Sequence, residues 1–371
     1  MSVLLKKDYF EKVSNKELVQ QLEAKKKCAK KLPLWHNTPK IYYPKKLHIE
    51  QTSSEITARF KANLIGGEML LDLTTGLGVD AYYFSKKFHR LILCEINEEL
   101  SLITKYNLEL LGILNAIVLS KDGIALLKNT KEHFDWIYAD PARRHESKGK
   151  VFKLADCSPN IPENLDLLYK KTRHILIKTS PLLDLSIGIK ELSGVKIIHI
   201  LAVNNEVKEL LWLLEKDYSQ EIQIICTNIK KETEEVFEFS IKEETDASSV
   251  LSTPLSYLYE PNSAILKGGA FKSIGQRFQL KKLQEHTHLF TSDELVEFPG
   301  RVFKILAIHP YHKKIAQIMG LSKANITIRN FPESVDKIRK KTKIQDGGKD
   351  YLFFIRDQNQ ALQVLHCAKL F

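Results

Sequence analysis

The chain has 371 residues, of which 43% are hydrophobic and 27% are charged. This length predicts two or three domains, and this composition is typical of a folded globular protein, which argues against a disordered or fibrous class. Fifty-six Lys and Arg against 45 Asp and Glu give a net charge of +11, which favours polyanionic partners.

The opening segment MSVLLKKDYF lacks the long apolar run of a signal peptide, and no stretch approaches the ~18 apolar residues of a membrane span. We therefore expect a cytoplasmic protein with no membrane partner. The five cysteines are far apart and odd in number, which predicts reduced thiols. The pairs His286/His288 and His309/His312 lack further ligands at metal spacing, so no metal is expected. Nothing in the sequence indicates an oligomeric state.

Residues 1–52 form a basic segment that we predict to be helical. Residues 1–50 contain twelve lysines and five acids, and 12 minus 5 places +7 of the total +11 here. The segment NKELVQQLEAKKKCAKKL predicts an amphipathic helix that ends before Pro33. Its lysine-rich face is either a solvated surface or a nucleic-acid contact, and the sequence leaves both interpretations open.

From Ser53 onward, helix and strand patterns alternate. The segment SSEITARFKANLI predicts a helix with a Ser N-cap. Apolar strands that alternate with helices predict a parallel sheet covered on both faces, in an α/β domain over residues 53–230. The predicted strands are EMLLDL, HRLILCEI, NAIVLS, FDWIYAD, HILIKTS, VKIIHILAV and EIQIICTNI, with a helix, EVKELLWLLEK, predicted between the last two.

After about Lys230 the pattern loosens, and the charged stretch KKETEEVFEFSIKEETDASS predicts a domain boundary. Residues 231–371 are predicted to form a smaller α/β domain. Within it, ANITIRNFPESVDKIRKKTKIQDGGKDYLFFIRD predicts a strand, a helix, a glycine turn and a strand. Residues 321–345 carry seven basic and two acidic side chains, and 7 minus 2 gives +5, a second basic patch.

Ligands of open parallel sheets bind beyond the carboxyl ends of the strands, so these ends are the candidate site. The first strand runs into the turn DLTTGLG, residues 72–78, whose glycines let the backbone approach a ligand closely. The second ends at Glu95, whose carboxylate can accept both hydroxyls of a ribose. The third is followed by Asp122-Gly123, where an acid can accept from an adenine amino group. The fourth ends in Asp140-Pro141.

One alternative is a nicotinamide dinucleotide fold, because Gly76, Gly78 and Ala81 satisfy the pattern G-x-G-x-x-A and Glu95 follows at a plausible distance. In that fold the first strand should end apolar, whereas Asp72 stands there. The Asp-Pro turn would also have no role. A plain α/β domain with chance acids at its strand ends is the other alternative.

The order of glycine loop, ribose acid, adenine acid and Asp-Pro turn resembles the class I S-adenosylmethionine-dependent methyltransferases. With EPNSAILKGGAFKSIGQRF, FPGRVF and KANITIRNFPESVDKIRKK, nearly the whole chain resembles a bacterial family of these enzymes with a C-terminal THUMP-like domain. The resemblance implies a Rossmann-like sheet, S-adenosyl-L-methionine as cofactor and, because THUMP domains proper belong to RNA-modifying enzymes, a tRNA or rRNA substrate. The implied cofactor-binding residues are Asp72, Thr74, Gly76, Gly78, Asp80, Glu95, Ile96, Asp122, Gly123 and Asp140.

Methyl transfer requires a nucleophile that is aligned with the methyl group and deprotonated. We predict that Asp140 is catalytic and accepts an N–H of the target, while Pro141 fixes the loop. N-methyltransferases commonly carry Asp-Pro-Pro followed by an aromatic residue that stacks on the base. Here Ala142 and Arg143 follow, so the stacking residue is missing from its usual place.

The string Asp-Pro-Ala-Arg also resembles the uracil-C5 RNA methyltransferases, which use a cysteine after the fifth strand. This sequence has the segment KTSP there, residues 178–181, and Cys157 is a fallback nucleophile, so we expect transfer to nitrogen with carbon as an alternative. Arg143 and Arg144 either bind phosphate or base edges or pair with carboxylates, and we predict that they bind substrate together with Lys178. Three classes stay open: an RNA methyltransferase, a methyltransferase of proteins or small molecules, and an inactive RNA-binding protein.

Overall fold

The computed structural model describes residues 13–143, 153–231 and 233–370. Two compact units divide the chain: the first extends to Ile198 and includes Lys208–Gln220, and the second includes His199–Val207 and continues from Glu221. As far as β9, the elements are α1 (Asn15–Lys31), α2 (Pro33–Asn37), α3 (Lys46–Gln51), α4 (Glu55–Leu64), β1 (Gly67–Asp72), α5 (Val79–Phe84), β2 (Phe88–Glu95), α6 (Glu98–Leu110), β3 (Ala116–Ser120), α7 (Gly123–Asn129), β4 (Phe134–Ala139), β5 (Ala142–Arg143), a 3-10 helix (Leu154–Asp156), β6 (Cys157–Ser158), α8 (Ile161–Tyr169), β7 (Thr172–Thr179), α9 (Leu185–Glu191), β8 (Val195–Val203) and β9 (Glu206–Glu215). The later elements are β10 (Gln223–Ile229), β11 (Glu234–Ser240), α10 (Ile241–Asp246), β12 (Tyr257–Pro261), α11 (Ser263–Gly268), α12 (Ser273–Arg277), β13 (Lys281–Lys282), β14 (Phe290–Ser292), β15 (Gly300–Pro310), α13 (Ile315–Met319), β16 (Asn325–Arg329), α14 (Val335–Thr342), β17 (Asp350–Arg356) and β18 (Leu362–Lys369).

Within the described ranges, a nine-stranded sheet has the order β11-β10-β8-β9-β7-β4-β1-β2-β3. Strands β1, β2, β3, β4 and β7 pair in parallel, which confirms the predicted parallel sheet. The chain runs outward from β1 to β3 on one side and from β4 to β7 on the other, so the strand order reverses between β1 and β4. The carboxyl ends of open α/β sheets bind ligands at such a switch point.

The segment Glu206–Glu215 is strand β9, so the helix predicted there is wrong. Strand β9 pairs antiparallel with β7. The adjacent residues Leu211 and Trp212 point to opposite faces, and both are fully buried, so the sheet is covered on both sides here. Asn204 and Asn205, with φ of 51° and 62°, form the two-residue turn after β8. Asparagine tolerates positive φ, and this turn type returns the chain antiparallel, so burial outweighs the helix propensity of the Leu- and Glu-rich sequence.

The N-terminal helices pack into the core of the first unit. Helix α1 spans Asn15–Lys31 and ends before Pro33, which confirms the predicted helix. Ala24, Cys28 and Leu32, spaced four residues apart, are buried in the same hydrophobic cluster as the β1 and β2 side chains. No helix in the described part of the chain is long and apolar enough to cross a membrane.

The second unit contains a sheet whose described strands have the order β13-β14-β12-β15-β18-β17-β16. Strands β16 and β17 are parallel and α14 lies between them in sequence, which confirms the predicted strand, helix and strand. Both faces of β17 are buried: Leu352 and Phe354 belong to one hydrophobic cluster and Phe353 and Ile355 to another. The segment that was predicted to be a domain boundary contains β11 and α10.

Candidate functional site

The carboxyl ends of the parallel strands open into a cavity of about 830 Å³ in the first unit. This volume lies within the range of roughly 300–1,000 Å³ that is typical of small-molecule sites. The loops after β1, β2, β3, β4 and β7 line it, together with residues of α3 and the segment that follows α3. The predicted site residues on this lining are Thr74, Gly76, Asp80, Glu95, Ile96, Asp122, Gly123, Asp140, Pro141, Arg143 and Lys178.

Asp72 and Gly78 lie beneath the lining and shape the glycine loop. Asp72 is 1% exposed, and its Oδ1 accepts a hydrogen bond from the Thr74 amide at 2.8 Å, while its Oδ2 is buried with no partner among the described residues. Burial raises the pKa of Asp72 well above its ordinary value. Gly78 has φ of 77°, and a Cβ there would stand 2.7 Å from the Thr104 side chain. The remaining predicted residue, Arg144, lies outside the described residues.

The glycine loop leaves free space beside its backbone on the cavity side. The Gly76 amide donates to Glu95 Oε2 at 2.9 Å, and its carbonyl accepts from Thr104 Oγ1 at 2.6 Å. The end of β2 and helix α6 therefore both hold the loop. A Cβ on Gly76 would meet only the Thr74 carbonyl oxygen, at 3.9 Å. Thr75 Oγ1 is buried on the cavity lining and has no hydrogen-bond partner in the described chain. A ligand can therefore approach this backbone closely.

Glu95 and Asp122, predicted for the ribose and the adenine, are also bound to backbone. Glu95 Oε1 accepts from the Asn97 amide at 2.8 Å, and Asp122 Oδ1 caps α7 by accepting from the Ile124 and Ala125 amides. Each carboxylate oxygen has two lone pairs, so capacity for ligand hydroxyl or amino groups remains.

Ile96 and Gly123 complete this side of the cavity. The Ile96 side chain is 74% exposed although it is apolar, which suits contact with a planar ring. A Cβ on Gly123 would stand 2.9 Å from Leu73 Cα, so glycine allows α7 to approach the loop after β1.

Asp140 is held at the carboxyl end of β4. Its amide donates to Thr74 Oγ1 at 2.7 Å, and its Oδ2 lies 2.5 Å from Lys178 Nζ, so the predicted substrate lysine is the ion-pair partner of the predicted catalytic acid. Burial raises the pKa of Asp140, and Lys178 opposes that rise. Burial alone would lower the pKa of Lys178, but Asp140, Glu209 and Asp80 outweigh burial and raise it. A carboxylate held beside a permanent cation can accept a proton from a neighbouring N–H.

A buried ion cluster beneath the cavity contains residues that the sequence did not reveal. Lys61 is fully buried, with its Nζ 2.5 Å from Glu209 Oε2 and 3.2 Å from Asp80 Oδ1. Lys61 also donates to Ser53 Oγ, and Asp80 Oδ2 accepts from Ser53 Oγ at 2.9 Å and from Tyr138 OH at 2.8 Å. Burial would raise the pKa of Glu209, but Lys61 and Lys178 outweigh it and lower that pKa.

One signal for Lys61 was present in the sequence. It shares a helix face with Thr57 and Ala58, at spacings of four and three residues, so its position on α4 is a buried one. Glu209 has no such signal, because the Leu- and Glu-rich segment around it has the pattern of a helix, whereas it forms strand β9.

Arg143 lies on the cavity rim. Strand β5, Ala142–Arg143, pairs antiparallel with β6, Cys157–Ser158, which fixes the backbone of this arginine. Ser158 and Pro159 line the cavity, whereas Cys157 is fully buried and off the lining. The fallback nucleophile of the carbon-transfer alternative therefore has no access to the site.

Two family models match the second unit: a ferredoxin-like domain over residues 257–299 and a THUMP domain-like model over residues 300–369. The crystal structure of a "putative methyltransferase" from Porphyromonas gingivalis W83 is 31% identical and covers 100% of this chain and 94% of that chain, with a TM-score of 0.91. The cavity lies at the carboxyl ends of a Rossmann-like sheet, and the likeness covers nearly the full length of both chains. Together these observations define the class of protein. The chain belongs to the family of class I methyltransferases with a C-terminal THUMP-like domain.

Other solved structures match part of the chain. M. capricolum TrmK in complex with S-adenosyl-homocysteine is 17% identical, covers 44% of this chain and 70% of that chain, and has a TM-score of 0.35. An rRNA methylase from Streptococcus thermophilus is 17% identical, covers 43% and 94% of the two chains, and has a TM-score of 0.32. At these scores neither likeness carries an argument. No curated protein matches the sequence.

Proposed function

We propose that this protein is an S-adenosylmethionine-dependent methyltransferase that modifies a base nitrogen of tRNA or rRNA. The observation that carries the proposal is the placement of Asp140 on the same cavity as the open glycine loop and Glu95. The acid that would act on the substrate and the groups that would hold the cofactor thus face one space.

The residues present fit the cofactor. Glu95 would take the ribose hydroxyls, Ile96 and Asp122 the adenine, and the loop from Thr74 to Gly76 the methionine end. The open space at Gly76 supports this assignment. The predicted roles of Asp72 and Gly78 become indirect, because they shape the loop from beneath. Gly123 lets α7 approach, and Asp80 links the loop to the buried ion cluster.

When bound, S-adenosylmethionine supplies an electrophilic methyl group on a sulfonium centre. Asp140 accepts an N–H of the target base, which points the nitrogen lone pair towards that group, and takes the proton that the nitrogen loses. Lys178 fixes the Asp140 carboxylate by the 2.5 Å ion pair. Pro141 restricts the backbone that carries the acid, and Arg143 on the rim is suited to a substrate phosphate.

Three features support RNA as the substrate: the THUMP-like match, the net charge of +11, and exposed lysines on and beside α14. We assign methyl transfer to the domain predicted at residues 53–230 and RNA binding to residues 231–371. The described helices of the basic segment, within residues 13–52, pack with the methyltransferase domain, because their buried side chains belong to that core.

Calorimetry and a transfer assay test this function. Titration with S-adenosylmethionine should give saturable binding, and no binding at millimolar concentration would exclude the cofactor. Tritium from labelled cofactor should enter total RNA, and not protein, from a strain that lacks the enzyme. Nucleoside digestion of that RNA would then identify the modified base, and label in protein alone would exclude an RNA substrate.

The variant Asp140→Asn keeps the size of the side chain and removes the carboxylate. We expect cofactor affinity within about threefold of wild type and methyl transfer reduced by about 10²–10⁴-fold, the usual effect of losing a general base. Asp166→Asn, which removes an exposed carboxylate of α8 that lies off the cavity lining, serves as the control for both measurements. Transfer at wild-type rates by Asp140→Asn would remove the catalytic assignment.

A further inference from the structure

Helix α3, Lys46–Gln51, forms one wall of the cavity although it lies outside the parallel sheet. Leu47, His48 and Gln51 of this helix line the cavity, and so do the next two residues of the chain. The Leu47 side chain is 58% exposed although it is apolar. Ile96 is similarly exposed on the same cavity, so Leu47 and Ile96 both offer uncovered apolar side chains to a ligand.

The N-terminal end of α3 lies beside the predicted ribose acid. Lys45 Nζ, directly before the helix, lies 3.2 Å from Glu99 Oε2 in the first turn of α6. His48 and Asn97 line a small recess at the same place, and the Asn97 amide donates to Glu95. This end of α3 therefore lies next to Glu95.

The C-terminal end of α3 is fixed beside the glycine loop. Ser53, two residues after the helix, is buried, and its hydroxyl donates to Asp80 Oδ2 and accepts from Lys61 Nζ. Asp80 follows the loop directly, in the first turn of α5. Helix α3 thus extends from the ribose side of the cavity to the glycine loop.

Two lysines of α1 hold this helix in place. Lys31 Nζ donates to the carbonyl oxygens of Ile49 and Glu50, at 3.0 and 2.8 Å, which satisfies carbonyls that the last turn of a helix leaves free. Lys27 Nζ lies 2.8 Å from Glu50 Oε1. Both lysines contact α3, so part of the basic face of α1 has a structural role.

We propose that α3 covers the bound cofactor, with Leu47 and His48 against its nucleoside half, and that Lys31 is a positioning residue for this cover. The inference rests on the proposed function, because it takes S-adenosylmethionine or its product as the ligand. The proposal gives the N-terminal segment a role in cofactor affinity, in addition to the roles of the residues at the strand ends.

Calorimetry of the full chain with S-adenosyl-homocysteine tests the proposal. Leu47→Ala and Lys31→Met should each weaken binding by about three- to tenfold, since tenfold corresponds to about 1.4 kcal/mol, the scale of one lost apolar contact or one displaced turn. Leu22→Ala is the matched control for Leu47, because Leu22 on α1 is also 58% exposed and lies off the cavity. Lys30→Met is the control for Lys31, since Lys30 is exposed on the same helix.

The outcomes separate the two proposals. If the wild type does not bind S-adenosyl-homocysteine, the proposed function fails and the cover fails with it. If the wild type binds and both Leu47→Ala and Lys31→Met bind equally well, the cover alone is refuted. Circular dichroism and urea unfolding show whether Lys31→Met is folded. If it is not, Leu47→Ala decides, because truncating an exposed side chain leaves the core intact.

Discussion

At the scale of single residues, burial decides what the acids of the site can do. Asp72 is the last residue of β1 and Asp140 directly follows β4, and the sequence predicts a ligand-binding role for each. Asp140 reaches the cavity beside Lys178, whereas Asp72 is buried beneath it with one oxygen unpartnered. A buried carboxylate without a cation is costly to ionise, so burial raises the pKa of Asp72 in the folded chain.

The replacement Asp72→Asn should therefore change how stability depends on pH. Because the folded-state pKa of Asp72 is raised above the ordinary value of 3.8, its contribution is fully present below that pH and is lost as the pH rises towards the folded-state pKa. The variant Asp72→Asn has no ionisable group at this position, so its stability does not fall in this way. As the pH rises above about 3.8, we expect the wild type to lose stability relative to Asp72→Asn, and this loss should end once Asp72 is ionised in the folded chain. Urea unfolding of both proteins without ligand measures the difference, and a difference that stays constant with pH would contradict the prediction.

At the scale of elements, tertiary contacts outweigh the secondary-structure preference of the local sequence in β9. They agree with that preference in the glycine turn after β1. Strand β9 has the composition of a helix, yet the turn at Asn204 and Asn205 and its pairing with β7 place it in the sheet. The turn from β1 into α5 follows local preference, because Gly76 and Gly78 adopt the positive φ that glycine tolerates.

Two glycines of similar φ separate backbone strain from crowding. Gly78 has a φ of 77°, and a Cβ on it would lie 2.7 Å from Thr104 Cγ2. Gly112 has a φ of 78°, and a Cβ on it would have no atom within 4 Å. Gly112→Ala should lower the free energy of unfolding by about 1–2 kcal/mol, the cost of left-handed backbone alone. Gly78→Ala should lower it by roughly 2–4 kcal/mol, because overpacking adds to strain. Equal losses in urea unfolding would show that Thr104 moves aside freely.

At the scale of the whole molecule, fewer basic side chains are available for phosphate contacts than the net charge suggests. Seven basic side chains lie in residues 321–345, but three of them have acidic partners in the second unit. The pairs are Arg329 with Glu260, Arg339 with Asp346, and Lys341 with Glu333. Lys337 and Lys340 on α14 are exposed, so they are the better candidates for phosphate contacts.

The double variant Lys337→Gln/Lys340→Gln tests this surface. If both lysines contact phosphate, the slope of log affinity against log salt concentration for single-stranded RNA should become less steep by about 1.4, which is twice 0.7. Lys128→Gln/Lys190→Gln removes the same charge from helix ends of the first unit and should change the slope little. Filter binding at several salt concentrations gives both slopes. Equal effects of the two double variants would mean that net charge alone acts, and salt-independent binding would argue against an RNA substrate.

The sequence by itself determined the order of the strand ends and the residues that follow them. The apolar runs, the glycine turn and the βαβ unit around α14 depend on local patterns, and local patterns survive in any compact arrangement of the chain. Eleven of the predicted site residues therefore lie on the cavity, because the carboxyl ends of parallel strands meet at one edge.

Only the tertiary structure decided the rest. It turned Glu206–Glu215 into a strand, paired Lys178 with Asp140, buried Lys61 between Glu209 and Asp80, and placed α3 against the cavity. Each of these depends on contacts between residues far apart in the chain, and burial and long-range ion pairs leave little trace in a local pattern.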